Sequence, residues 1–332
     1  MKIENLTNIL SDQPKYRFKQ AQRAVFIDLI DDWSKSSNFP QALREKLNLE
    51  CSLKINAEVF AAKDNQTTKA LITLEDGLKI ETVLLKHKDL RNTVCLSSQV
   101  GCSVGCSFCA TGQMGFKRNL CAYEIVEQVI FFARLLQIKS QKITNVVFMG
   151  MGEPFLNYNN VIAAIKILND NQGFNLGARK ISISTCGIIS GIKKLASENL
   201  QVNLAISLHA PNDILRSKLM SINKKYPLEN LLSAVNDYVK RTSRKVMFEY
   251  LMIKGINDSV EHARELAVLL KNKLFMVNLI PYNQTGKYHA VEREKISAFK
   301  KVLEHYRVQV TQRYSFGGDI DAACGQLASK NK

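Results

Sequence analysis

The chain has 332 residues, of which 46% are hydrophobic and 23% charged, a balance that excludes low-complexity, fibrous and disordered classes. No apolar run approaches the roughly 18 residues of a membrane span, because the stretch from Val129 to Ile138 is broken by Arg134, and the opening MKIENLTNIL has no secretory pattern, so a cytoplasmic protein without a membrane partner is expected. Lys and Arg number 46 against 30 Asp and Glu, a net charge of +16 that suits a polyanionic partner such as nucleic acid.

At roughly 150 residues per domain, the length allows one large domain with an appendage. Residues 1–68 place apolar side chains at helical spacing in AQRAVFIDLIDDW and QALREKLNL, with Pro40 as a break, which predicts a small helical module. This module carries ten basic and nine acidic residues, so an excess of fifteen positive charges rides on the remainder. KALITLEDGLKIETVLL reads as two strands turning at Asp76-Gly77, a β-hairpin connector. From Thr93 onward TVCLSS, NVVFMG, KISISTCG, VNLAISLHA, KVMFEYLMI, MVNLIPYN and VQVTQRYSF alternate with amphipathic segments such as AYEIVEQVIFFARLLQI and VEHARELAVLLKN. Repeated β-α units predict an α/β fold with a parallel sheet, open or closed into a barrel. Glu153, Ser184, His209 and Asn283 fall at or just beyond the carboxyl ends of different strands, the edge that holds active sites in such folds.

Three of the eight cysteines, Cys102, Cys106 and Cys109, crowd into eight residues as C-x3-C-x2-C within VGCSVGCSFCATGQMGF. A secreted disulfide framework would spread them, so they read as ligands. Thiolates select iron-sulfur clusters or zinc. A closed zinc site wants four ligands and no fourth Cys or His lies nearby in sequence, whereas three ligands on a four-iron cluster leave one iron open.

The C-x3-C-x2-C signature, with Phe108 before the last Cys, resembles the radical S-adenosylmethionine superfamily. CLSSQVGC, MGMGEP, SLHAPND and GDIDAACGQL, in that order from about Lys69 to Ala328, narrow the resemblance to the RlmN-type adenine-C2 RNA methyltransferases and their Cfr-type C8 sisters. The resemblance implies a partial (β/α)6 barrel at 88–313, an RNA-docking accessory domain at 1–68, the hairpin at 69–87 and a C-terminal segment at 314–332 that carries a methyl-accepting cysteine. It further implies one [4Fe-4S] cluster on Cys102, Cys106 and Cys109, two S-adenosylmethionines consumed per turnover, a reducing electron donor such as flavodoxin or ferredoxin, and a monomer. The substrates it implies are C2 of adenosine 2503 in 23S rRNA and of adenosine 37 in tRNAs. Pro154 and FLNYNN favour C2, while ARKISISTCGII and TSRKV look more like the C8 branch, which is the alternative.

Adenine C2 is a poor nucleophile, so simple methyl displacement is closed to it and a carbon radical must add. By resemblance, Cys324 in AACGQL is first methylated and Cys95 in TVCLSS later resolves the thioether, leaving a transient disulfide. Glu81 in IETVLL matches the family's proton acceptor, with one residue of difference in its spacing to Cys95. Gly152 and Glu153 match the contact to the cofactor's amino group, where glycine permits close approach and a carboxylate meets an ammonium. Ser184, Ser207, Leu208, His209 and Asn283 match the remaining cofactor contacts. Outside these motifs, His209 would read as a structural histidine, and Cys95 and Cys324 as buried thiols. Cys51 and Cys121 fit no such role and read as structural; Cys186 stands where many relatives have another small residue.

Overall fold

A computed structural model describes residues 3–286, 288–313 and 317–328; the ends of the expected C-terminal segment, 314–316 and 329–332, lie outside the described residues. The first fifty residues form helices α1 (Leu6–Ile9), α2 (Lys15–Phe26) and α3 (Gln41–Glu50). Trp33 is fully buried among them, its indole N–H donates to the Cys51 carbonyl at 2.7 Å, and Cys51 is itself fully buried. The expected helix through AQRAVFIDLIDDW stops at Phe26, and Leu29 takes a left-handed φ of 55°.

One strand was not expected inside the helical module. Asn56–Ala61 is β1, antiparallel to β2 (Thr67–Thr73), which pairs with β3 (Lys79–Lys86) across the predicted Asp76-Gly77 turn. Gly77 takes φ 78° there, and the Asp76 carboxylate accepts from the Leu78 amide. β3 then pairs with β4 (Asn92–Cys95), so the hairpin is continuous with the core sheet.

From β4 the sheet runs parallel through β7 (Asn145–Phe148), β8 (Ile181–Thr185), β9 (Asn203–Ser207), β10 (Val246–Met252), β11 (Phe275–Pro281) and β12 (Gln309–Gln312). β5 (Gln99–Gly101) and β6 (Phe116–Asn119) pair separately and flank the cysteine loop with its short helix α4 (Ala110–Gln113). The crossovers carry α5 (Ala122–Gln137), α6 (Tyr158–Asn169), α7 (Ile189–Leu195), α8 (Asp213–Leu219), α9 (Leu228–Thr242), α10 (Val260–Leu269) and α11 (Arg293–His305). This is the expected α/β architecture with a parallel sheet: six β-α units followed by a seventh parallel strand, β12. The central strands β10 and β11 are apolar over most of their length, as burial on both faces requires, whereas β8 alternates apolar and polar residues and β12 is mostly polar. Ile183, Leu204, Phe248 and Val277, from four neighbouring strands, are all fully buried.

The charge that breaks the Val129–Ile138 run has a use. Arg134, on α5, donates to the carbonyls of Leu29, Ile30 and Leu53 and so ties the helical module to the core. Cys121 caps α5: its side chain accepts from the third-residue amide, while Glu124 accepts from the Cys121 N–H at 2.8 Å. Among the described residues no helix is long and apolar enough to cross a membrane.

Candidate active site

Two adjoining cavities lie inside the curled sheet, the smaller at the carboxyl ends of the parallel strands and the larger reaching from there to Thr93, Asn145 and Ser182 near the strands' amino ends. The larger, about 430 Å³, is lined by Val83 and Leu85 of β3, Cys95 of β4, and Gln312, Arg313 and Cys324. Residues of β3 and β4 therefore face residues of β12 and those just beyond it, so the parallel part of the sheet curls into an incomplete barrel. The smaller, about 160 Å³, is lined by Cys102, Cys106 and Cys109 together with Glu153, Ser207 and His209. Arg313, Cys324 and Gly325 belong to both.

The cysteine loop is held on every side. The Cys102 N–H donates to the Gly115 carbonyl at 2.8 Å, the Ser107 N–H to the Leu219 carbonyl at 3.0 Å, and the Ser221 hydroxyl to the Val104 carbonyl at 2.9 Å. Burial pushes the Cys102 thiol up to about 11 and the Cys106 thiol well above its ordinary range. The loop alone supplies three soft thiols. Among the described residues, no three His, Cys, Asp or Glu side chains converge as they would around a single ion. Three thiols without a fourth ligand suit a cluster with one open iron better than a closed zinc site.

Glu153, beyond β7, accepts from the Phe155 and Cys186 amides at 2.9 and 2.6 Å. Burial pushes its carboxyl up; an ammonium beside it would restore the ionised form. Gly152 holds φ 97°, and a Cβ there would lie 2.5 Å from Gln99 Cβ, so only glycine fits this turn. Gln99 in turn accepts from the Glu153 N–H at 2.8 Å. The hydroxyls of Ser184 and Ser207 lie 3.3 Å apart.

His209 accepts the Leu251 N–H on Nδ1 at 3.0 Å and sets its ring edge-on to Phe108 at 4.9 Å. The acceptor role of Nδ1 places the proton on Nε2. Burial first, then Arg216, pushes His209 down to about 3, so the ring is neutral. Leu208 is fully buried and contributes through its backbone: its carbonyl accepts from Arg216 and its N–H donates to the Glu249 carbonyl. Asn283 lines the larger cavity and donates to the Cys324 carbonyl at 3.3 Å.

Cys95 and Cys324, 229 positions apart in sequence, are brought to one cavity. Burial, with Cys324 beside it, pushes the Cys95 thiol up to about 12, against the pull of Arg313. Glu81 is not brought to that cavity. It lines a separate space of about 140 Å³ with Lys69 and Ala328, on the far side of the C-terminal segment.

Three charged groups escaped the sequence reading. Arg216 is fully buried and donates to the carbonyls of Cys186, Leu208 and Ser207 and to Asn223 Oδ1. Its signal was a cation three residues before Leu219, on the buried face of α8. Glu249 interrupts the apolar run of β10. Its Oε2 accepts from Asn278 at 2.8 Å, while Oε1 is buried with no partner among the described residues, beside the smaller cavity. Arg313, just past β12, reaches Cys324 Sγ at 4.0 Å and Met149 Sδ at 3.2 Å; a single basic residue at a strand end carries no sequence signal.

Comparison with known proteins places this geometry. The radical SAM superfamily profile matches residues 96–267. A protein of Dictyoglomus thermophilum named as a probable dual-specificity RNA methyltransferase RlmN is 48% identical over 98% of this chain and 94% of its own length. One of the same name from Bacillus licheniformis is 45% identical over 99% of this chain and 92% of its own. The crystal structure of a radical SAM methyltransferase from Sphaerobacter thermophilus superposes with a TM-score of 0.95 at 43% identity, covering 99% of this chain and 98% of that one.

Proposed function

The chain belongs to the radical SAM superfamily and, within it, to the RlmN-type dual-specificity RNA methyltransferases, and from that premise we propose that it methylates C2 of adenosine 2503 in 23S rRNA and of adenosine 37 in tRNAs. The observation that carries the reading is that Cys324 lies on the wall shared by the two cavities. One sulfur can therefore face the cofactor side and the substrate side without a large movement.

Cys102, Cys106 and Cys109 would hold a [4Fe-4S] cluster, and Gly152, Glu153, Ser184, Ser207, His209, Asn283 and the Leu208 backbone would hold S-adenosylmethionine. The unpartnered Glu249 Oε1, buried beside the smaller cavity, suits such a ligand, which brings donors. When bound, these groups supply the one-electron chemistry that an unactivated aromatic carbon demands; a low-potential donor such as flavodoxin or ferredoxin would feed it.

The rest is the work of this chain's side chains. Cys324 Sγ takes a methyl group and gives up its proton. Arg313 places its guanidinium 4.0 Å from that sulfur. The larger cavity, about 430 Å³, has room for one flipped-out base, and removing an adenosine from its stack is the general solution for chemistry on a base. After the S-methyl carbon has joined C2, the C2 proton must leave to a base, the role proposed for Glu81. In the described conformation both Glu81 oxygens are engaged, so the C-terminal segment must shift before that carboxylate can act. Cys95, having given up its proton, then attacks Cys324 Sγ; the sulfur-carbon bond breaks, a Cys95–Cys324 disulfide forms, and the bridging methylene, which gave up one hydrogen when it joined C2, takes up a proton and stays on the base as the methyl group.

The test is anaerobic incubation of the reconstituted enzyme with S-adenosylmethionine, a reductant and either RNA, followed by nucleoside mass spectrometry. 2-Methyladenosine is expected. 8-Methyladenosine would move the chain to the sister activity, and absence of any methylated adenosine would overturn the reading.

A further inference from the structure

Residues 317–328 form a strap laid across the barrel mouth. The Ala110 N–H donates to the Gly325 carbonyl at 2.8 Å, the Thr111 hydroxyl to the Leu327 carbonyl at 2.6 Å, and Gln326 Nε2 to the Gln284 carbonyl at 3.2 Å. The last described residue makes the bond that differs in kind: the Ala328 N–H donates to Glu81 Oε2 at 2.7 Å. That acceptor is a carboxylate oxygen in a dry setting. The other oxygen, Oε1, is ion-paired with Lys69 Nζ at 2.8 Å, and the two side chains are 2% and 5% exposed.

The pair is built by the sheet. Leu71 sits opposite Glu81 in the β2–β3 register, so Lys69 is its diagonal neighbour on the same face. The Lys69 ammonium also lies 5.5 Å from the centre of the Phe60 ring on β1. A charge-assisted hydrogen bond in a low-dielectric site is among the stronger contacts a single amide can make. It clamps the chain four residues after Cys324, while Asn283 holds the Cys324 carbonyl itself.

We infer that Glu81, held by Lys69, is a positioning residue for Cys324: it anchors the strap so that the sulfur faces both cavities. This rests on the reading of Cys324 as the methyl carrier, and it differs from a proton-acceptor role in its timing. A base acts only after RNA has reacted. An anchor acts before RNA arrives, when Cys324 is first methylated.

Single replacement of Glu81 leaves a buried cation unpaired, so the informative variant removes both charges: Lys69→Met with Glu81→Leu. That protein should retain its iron. Two measurements then decide. In the RNA-free holoenzyme with S-adenosylmethionine, mass spectrometry should show S-methylation of Cys324 slowed at least about tenfold, the factor one charge-assisted hydrogen bond is worth. In the protein without cofactor, hydrogen exchange of the 323–328 segment should quicken by a similar factor. A second variant, Lys69→Met with Glu81→Gln, keeps an acceptor for the Ala328 N–H without a charge, and should recover most of both. Wild-type methylation and unchanged exchange in the first variant would overturn the anchor. Absence of methylation on Cys324 in the wild-type enzyme would instead sink the reading of Cys324, and the exchange measurement would still decide the anchor.

Discussion

Replacing Arg216 by Lys keeps the charge and removes the planar fork. The guanidinium meets four acceptors in different directions: Nη2 serves the Cys186 and Ser207 carbonyls at 2.7 and 3.3 Å, Nη1 serves Asn223 Oδ1 at 2.8 Å, and Nε serves the Leu208 carbonyl at 3.2 Å. A lysine ammonium is a point donor and cannot span them. It can keep about two, leaving two buried acceptors without partners at roughly 1–3 kcal/mol each, a loss of about 4 kcal/mol. Unfolding entropy of about 2.1 cal/mol/K per residue makes each kcal/mol worth about 1.4 °C in a chain of this length, so the melting temperature should fall by about 6 °C. The lost bonds belong to the Cys186 turn, which holds Glu153, and to the Ser207–His209 loop. S-adenosylmethionine binding should therefore weaken about tenfold, the cost of one misplaced hydrogen-bonding group. Thermal unfolding and equilibrium dialysis on the reconstituted protein measure both. A melting temperature within about 1 °C of the parent, with unchanged cofactor affinity, would refute the claim that this buried fork organises the site.

Alanine at Cys102, Cys106 or Cys109 should each abolish cluster assembly, measured as iron bound after anaerobic reconstitution; full iron in all three would remove the cluster assignment. Cys95→Ala should allow Cys324 methylation and addition to RNA but not release, leaving RNA covalently attached through Cys324 in a nuclease-sensitive band of raised mass. Cys324→Ala should show neither product nor crosslink, and normal turnover by Cys95→Ala would end the resolving role. His209, pushed down to about 3 from an ordinary value of 6.5, takes up protons in the unfolded chain first, so stability should fall as pH drops from about 6.5 toward 3, by at most about 1.4 kcal/mol per pH unit. Urea midpoints at pH 7 and pH 5 should reveal the slope, and His209→Gln should flatten it; the same slope in the variant would assign it to other groups.

The amino-acid sequence by itself carried the α/β class, because strands buried on both faces read as apolar runs and crossover helices as amphipathic ones. The hairpin was equally legible, since Asp76-Gly77 states its turn chemistry locally. The cysteine triplet was legible for the same reason: its ligands lie within one loop, so spacing alone describes them. Strand β1 was missed because its exposed, alternating burial gives only a weak signal, and pairing with β2 settles its conformation.

Tertiary structure decided what depends on distant partners. It brought Cys95 and Cys324 to one cavity, surrounded Arg216 with carbonyls from three segments, and set the carboxylate of Glu81 on an amide 247 residues away. Each of these is a buried polar group whose partner is chosen by desolvation. A charge removed from water must find a donor or acceptor wherever the fold provides one. Sequence spacing holds no record of that choice, because the partner need not be near in the chain, only near in the folded barrel.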